Sequence, residues 1–190
     1  MTRRPQRGFT LTELLVVVAI IGVLVSMATV YMRPQIRAID VANRVGDLVR
    51  EANRRAVALG PVRAAVALNI GTKARMRVRG ISAGPRPTFI LERLQEDPAP
   101  AITASWIEVI RYTVARDVVG ESWGTGVGPH AALPRTTDWT AFEARCYPDG
   151  TCDPHTLFFE AAVPGAASER HARMSVMPLG GAIMTRRDWN

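Results

Sequence analysis

Residues 9 to 32, FTLTELLVVVAIIGVLVSMATVYM, hold a single charged side chain, Glu13, and from Leu14 to Val30 there is none. As a helix rising about 1.5 Å per residue the segment reaches roughly 36 Å, enough to cross the hydrocarbon core of a bilayer. The eight residues before it, MTRRPQRG, are short and cationic. Arg3, Arg4 and Arg7 therefore predict a single pass with the N-terminus cytoplasmic and everything after Tyr31 exported, an asymmetry that Arg33 and Arg37 weaken slightly. An ordinary signal peptide and a plain single-pass anchor are the alternatives. The run is longer than a usual signal core of ~7 to 15 residues, and only Met27-Ala28-Thr29 approaches a small-residue cleavage site. Neither alternative accounts for Glu13.

An ionised carboxylate in lipid costs on the order of a few kcal/mol, so it calls for a cationic partner. No arginine within the segment supplies one. If the chain is cut after Gly8, the new α-amine of Phe9 lies about one helical turn from Glu13, on the same molecule or on a neighbour. Such pairing would set the register of helix against helix.

The stretch RGFTLTELLVVVAIIGVL closely resembles the class III signal of type IV pilins and pseudopilins. The resemblance implies a prepilin peptidase of the bacterial inner membrane that cuts between Gly8 and Phe9 and N-methylates Phe9. It also implies that Glu13 is the family's buried assembly glutamate. Residues 1–8 are then a leader peptide.

Beyond the apolar run, residues 33–60 place Ile36, Ile39, Ala42, Val45, Leu48 or Val49, Ala52, Ala56 and Leu59 at three- and four-residue spacing. Arg37, Asp40, Arg44, Asp47, Arg50, Glu51 and Arg54 take the other face, which predicts an amphipathic helix. Pro34 is expected to kink its junction with residues 9–32, and Gly60-Pro61 to end it. The two halves would form one rod of roughly 75 Å, the polymer's spine in the pilin family.

Residues 61–190 read as a β-rich periplasmic head. Residues 62–82 contain two short strand-like runs around Gly71-Thr72, the second alternating Met76, Val78 and Gly80 with Arg75, Arg77 and Arg79. That arginine stripe is either a solvated sheet face or an anion contact. Further strands are expected at 87–94, 106–114, 141–147, 155–162 and 172–184, in a mostly antiparallel sheet because the connections are too short for crossover helices. Residues 120–138, rich in Gly and Pro, read as a mobile surface loop. The fold class is thus α+β: a long N-terminal helix, then an antiparallel head.

Cys146 and Cys152 flank Tyr147-Pro148-Asp149-Gly150, a good type I turn, so the two thiols can face each other across a hairpin. In an oxidising, exported setting a disulfide is their natural state. A metal site is the rival, but two thiols six apart with distant His130, His155 and His171 match no ligand spacing, and Asp149 with Asp153 is a thin basis for calcium. No catalytic motif, resident metal or cofactor is expected: there is no nucleophile elbow, no His-Glu-x-x-His and no Walker loop. Gly124, Gly126 and Gly128 lack the context of a phosphate loop. The four tryptophans read as core or rim aromatics. The chain is expected to be a substrate of enzymes, not an enzyme.

The pattern Trp106-Ile107-Glu108-Val109, Val118-Val119-Gly120, Tyr147-Pro148-Asp149-Gly150 with Thr156-Leu157-Phe158-Phe159, and Arg173-Met174-Ser175-Val176 before Pro178-Leu179-Gly180-Gly181 resembles the GspH/FimT group of minor pilins and pseudopilins. The group implies a helix leading into two antiparallel sheets, carried at low copy near a filament tip. One function it implies is a minor pseudopilin of a type II secretion system, with prepilin peptidase, other pseudopilins and the inner membrane as partners. The alternative is a minor pilin that binds DNA in natural transformation, where family members use C-terminal arginines after a glycine. Here Arg186 and Arg187 are displaced from Gly180-Gly181. The net charge of +7 also falls to +4 once Arg3, Arg4 and Arg7 are removed, only modestly basic for a nucleic-acid surface.

Overall fold

The computed structural model describes residues 11–31, 37–162, 171–178 and 183–187, and the chain divides into two units, Met1–Gln35 and Ile36–Asn190. The first unit contains helix α1, Leu11–Tyr31. Its apolar side chains lie exposed on consecutive positions, from Leu14 through Val18 and again from Val23 to Val25, so the helix has no polar face. Among the described residues no helix is long and apolar enough to cross a membrane. The part of α1 with described, uncharged side chains, Leu14 to Ser26, amounts to roughly 20 Å. Gly8, Phe9 and Pro34 lie outside the described residues, and so does the side chain of Glu13, whose backbone belongs to α1.

The second unit opens with α2, Ala38–Leu59. Asp40 at its third position accepts a hydrogen bond from the Arg37 N–H (3.1 Å), closing the first turn and placing an anion at the positive end of the helix. Ala38, Val41, Ala42, Val45, Leu48, Val49, Ala52 and Ala56 are buried along one stripe, with Ile39 half-buried and Leu59 exposed. Asp47 pairs with Arg50 (2.6 Å) and Glu51 with Arg54 (2.8 Å) and Arg55 (2.6 Å) away from that stripe.

Residues 64–70, expected within a strand-like run, are instead helical. Helix α3 spans Ala64–Ile70, and Gly71 ends it at φ 68°, donating its N–H to the Ala67 carbonyl (3.0 Å). The sequence AAVALNI is built mostly of strong helix formers, and only Val66 is buried, so no alternating face exists to stabilise a strand. Arg63, just before it, is fastened by Glu96, which accepts from both its N–H (3.1 Å) and its guanidinium (2.6 Å).

Among the described residues nine strands follow: β1 Met76–Gly80, β2 Thr88–Glu96, β3 Ala104–Thr113, β4 Val118–Thr125, β5 Arg135–Thr136, β6 Glu143–Cys146, β7 His155–Ala161, β8 His171–Val176 and β9 Ile183–Arg186. They form two antiparallel sheets, β3-β2-β1-β6 and β5-β4-β7-β8-β9. Two expectations need correction. The span 172–184 is two strands paired with each other, and residues 120–138 are not one loop, because β4 runs through the first part of it. The glycines there serve close approach rather than mobility. A Cβ on Gly120 would lie 2.7 Å from the Trp139 ring and 2.9 Å from Pro87, and one on Gly124 would lie 2.7 Å from the Pro134 carbonyl oxygen.

The inner faces of both sheets and the stripe of α2 share one core. Trp139 stacks on Phe159 (6.1 Å between centroids) and meets Phe89 edge-on (5.6 Å), while Trp123 meets Phe142 edge-on (5.4 Å). Gly46 lets the second sheet approach α2, since a Cβ there would sit 2.9 Å from Ile183 Cγ2 and 3.5 Å from Met174 Sδ.

Candidate functional site

The residues expected to carry function fall in three places. The first is α1, where a helix beginning at Leu11 puts Glu13 in its opening turn. Exposure of its large apolar side chains from Leu11 to Val25 runs from 46% at Val17 to 77% at Leu11. Each Leu, Ile or Val transferred from water to lipid or to a neighbouring helix contributes about 1.5–3 kcal/mol. A helix this apolar on every side is stable only when something outside its own unit covers it.

The second place is the outer face of the first sheet. Met76, Val78 and Gly80 point into the core and Arg77 and Arg79 point out, as the alternation predicted. Both arginines reach the buried Glu92 carboxylate (2.6 and 3.0 Å), Arg77 also reaches Glu143 (3.4 Å), and Glu143 binds Arg145 (2.7 Å). The Arg77 guanidinium lies 4.2 Å over the Trp106 ring. Burial pushes the Glu143 carboxyl up, but the hydrogen bond and charge of Arg145, with Arg77 behind them, hold it below the usual carboxylate range. Burial likewise pushes Glu96 up, and hydrogen bonds from Arg63 with the charges of Arg75 and Arg63 bring it below that range. The stripe is therefore a ladder of ion pairs across strands, not a bare cationic surface.

The third place is the cysteine hairpin and the C-terminal strand. Cys146 ends β6 and is joined to Cys152 by a disulfide, both sulfurs buried, with the Gly150 N–H donating to the Tyr147 carbonyl (3.0 Å) inside the turn. Asp149 accepts from the Thr151 N–H (2.9 Å) and hydroxyl (2.7 Å), and Asp153 accepts from the Tyr147 hydroxyl (3.1 Å) and the Arg145 N–H (3.3 Å). Those carboxylates are committed to the turn, and among the described residues no cluster suited to a metal ion is found. Arg186 closes β9 opposite Arg173, and Arg187 follows it, both exposed. Gly180 and Gly181 lie outside the described residues.

The histidines are separate. His130 meets Glu121 (3.2 Å) and the edge of Phe158, and His171 lies 3.7 Å from Glu160. His155 is buried between Trp123 (5.6 Å) and Phe142 (5.4 Å), and that burial pushes its imidazole below the ordinary histidine range. Sequence spacing marked His155 only as too distant for a metal-ligand set. Its position as the first residue of an apolar strand, HTLFFEA, was the available signal.

Residues 3–29 match the family of the prokaryotic N-terminal methylation motif, a span that takes in Gly8, Phe9, Glu13 and most of α1. No curated protein and no solved structure matches the chain. A motif of this kind running through an apolar helix, together with a two-sheet antiparallel head, supports a type IV pilin-like protein, and the motif itself implies processing by prepilin peptidase.

Proposed function

We propose that this chain is a minor pseudopilin of a type II secretion system. Prepilin peptidase removes residues 1–8 and methylates Phe9; the mature chain is held in the bacterial inner membrane by its apolar helix with the head in the periplasm. It then enters a short filament whose growth drives folded proteins outward. The observation that carries this reading is the apolar exposure of the described side chains of α1 within a matched processing motif, since such a helix must exchange lipid for protein neighbours to be useful in a filament. Glu13 would make that exchange selective by pairing with the α-amine of a Phe9. The chain has no enzymatic role in this scheme. Intact mass measurement of the protein extracted from membranes tests the first step: loss of residues 1–8 with one added methyl group is the expected result, and a retained initiator end or trimming beyond Tyr31 refutes it.

A second reading, a minor pilin that binds DNA in transformation, draws on the exposure of Arg186 and Arg187 at the end of β9. A salt-sensitive shift of duplex DNA, weakened when both are replaced by Ala, would favour it; absence of binding at low salt would remove it.

A further inference from the structure

Where α2 ends, Gly60 and Pro61 lead into α3, and the surface there is unusually apolar. Leu68 is 85% exposed, Val57 51% and Ile102 50%. Asn69 ties α3 to the β2–β3 connection by donating to the Ile102 carbonyl (3.0 Å), so Leu68 and Ile102 belong to one neighbourhood. Two adjoining grooves of about 350 and 340 Å³ share Ala64, Ala67 and Lys73 as walls. One runs over Leu68, and the other crosses Pro61 and Val62 to the disulfide turn at Tyr147 and Pro148.

The charges around these grooves are spoken for, with one exception. Arg63 and Arg75 both pair with Glu96 (2.6 Å each), and Asp149 is held by Thr151. Lys73, the only lysine in the chain, lines both grooves and forms no ion pair with any described residue. The groove over Leu68 is apolar with Lys73 as its one charge, complementary to an apolar segment bearing one carboxylate, while Asp149, hydrogen-bonded to Thr151 but still anionic, lies at the far end of the other groove. Such a surface is a poor match for nucleic acid, which asks for several clustered cations.

We infer that these grooves seat an extended segment of a neighbouring pilin-like subunit, with its apolar side chains against Pro61, Ala64, Ala67 and Leu68 and a carboxylate on Lys73 Nζ. The inference rests on the reading of the chain as a filament subunit, and names the contact that the head makes there. A pair of this kind at a partly desolvated rim gives register and partner choice more than raw affinity.

Zero-length carbodiimide coupling tests it, because the reagent joins carboxylates to amines and Lys73 is the chain's one lysine amine. Filament fractions from native membranes are coupled, digested and sequenced by mass spectrometry. The expected product joins Lys73 to an Asp, a Glu or a C-terminal carboxylate flanked by apolar residues in another pilin-like chain. Leu68→Asp should lower its yield at least tenfold. Lys73→Arg should abolish the adduct yet leave the chain in the filament, and Lys73→Glu should reduce recovery in the filament about tenfold, each variant melting at the wild-type temperature. A chain cut after Gly8 and present in the filament, but with Lys73 uncoupled or with Lys73→Glu recovered normally, overturns the inference alone. An uncut chain absent from every filament fraction overturns the filament reading and the inference with it.

Discussion

Helices α1 and α2 have nearly the same length, 21 and 22 residues, and solve the problem of their apolar side chains in opposite ways. In α2 most of them lie on one stripe buried in the head, with Val57 and Leu59 exposed near its C-terminal end, and the polar side holds its own ion pairs. In α1 they lie on every side and remain exposed. The stability of α2 is therefore a property of the head, whereas that of α1 is set by whatever surrounds it. On the proposed reading, a subunit that leaves lipid for a filament needs that division, because the head then stays folded through the transfer.

The sharpest way to break the comparison acts ahead of α1. Replacing Gly8 by a bulky residue should leave residues 1–8 attached in essentially all molecules, read by intact mass, while the head keeps its native melt. Glu13→Leu comes next. It should insert in membranes yet lower recovery in the filament fraction about tenfold, and normal incorporation would show that α1 enters the bundle by apolar contact alone.

Matched truncations then compare the two helices directly. Val49→Ala in α2 removes fully buried methyl groups and should lower head stability by about 2 kcal/mol. Val18→Ala in α1 should leave it unchanged. Denaturant unfolding of the full chain in detergent, followed by tryptophan fluorescence, separates these outcomes, since all four tryptophans, 106, 123, 139 and 189, lie in the head. Reducing Cys146–Cys152 should cost the head about 2 kcal/mol, the loop-closure value for so short a ring.

The smallest effect is acid sensitivity. Burial holds the His155 imidazole below the ordinary histidine range, so the unfolded chain binds a proton that the folded head resists. The stability tied to His155 is present above about pH 6.5 and is lost as the pH falls below that value. Between pH 6.5 and 5 the melting temperature of the wild-type head should fall more steeply than that of His155→Phe. Parallel slopes would show that His155 is not the group responsible. Lowered Glu96 and Glu143 add their own loss only at more acid pH, as those carboxylates protonate.

Much of the head was legible from periodicity alone. The arginine alternation in β1 marked the inward Met76 and Val78, and the three- and four-residue spacing of α2 marked its buried stripe. The errors fell where local pattern and tertiary context disagree. The run at 64–70 has apolar residues enough for a strand, but only Val66 finds the interior, and helix propensity decides. The glycines at the start of residues 120–138 read as a loop, although Gly120 and Gly124 are there because Trp139 and Pro134 leave no room for a Cβ. At the surface, no spacing rule could have found the Lys73 grooves, since their walls come from α3, the chain before it and a turn some 75 residues away.

What the amino-acid order determined by itself is the N-terminal program: Gly8, Phe9, Glu13 and the apolar run lie within one short segment, so a processing signal and a helix can be read without any distant contact. Tertiary structure alone decided which charges are spent and which are free. Arg75, Arg77 and Arg79 look alike in sequence to any unpaired arginine, but strands β2 and β6 bring Glu92, Glu96 and Glu143 against them, while Lys73 forms no ion pair with a described carboxylate. Ion pairing depends on separations of a few ångströms across strands far apart in the chain, and only folding sets those distances.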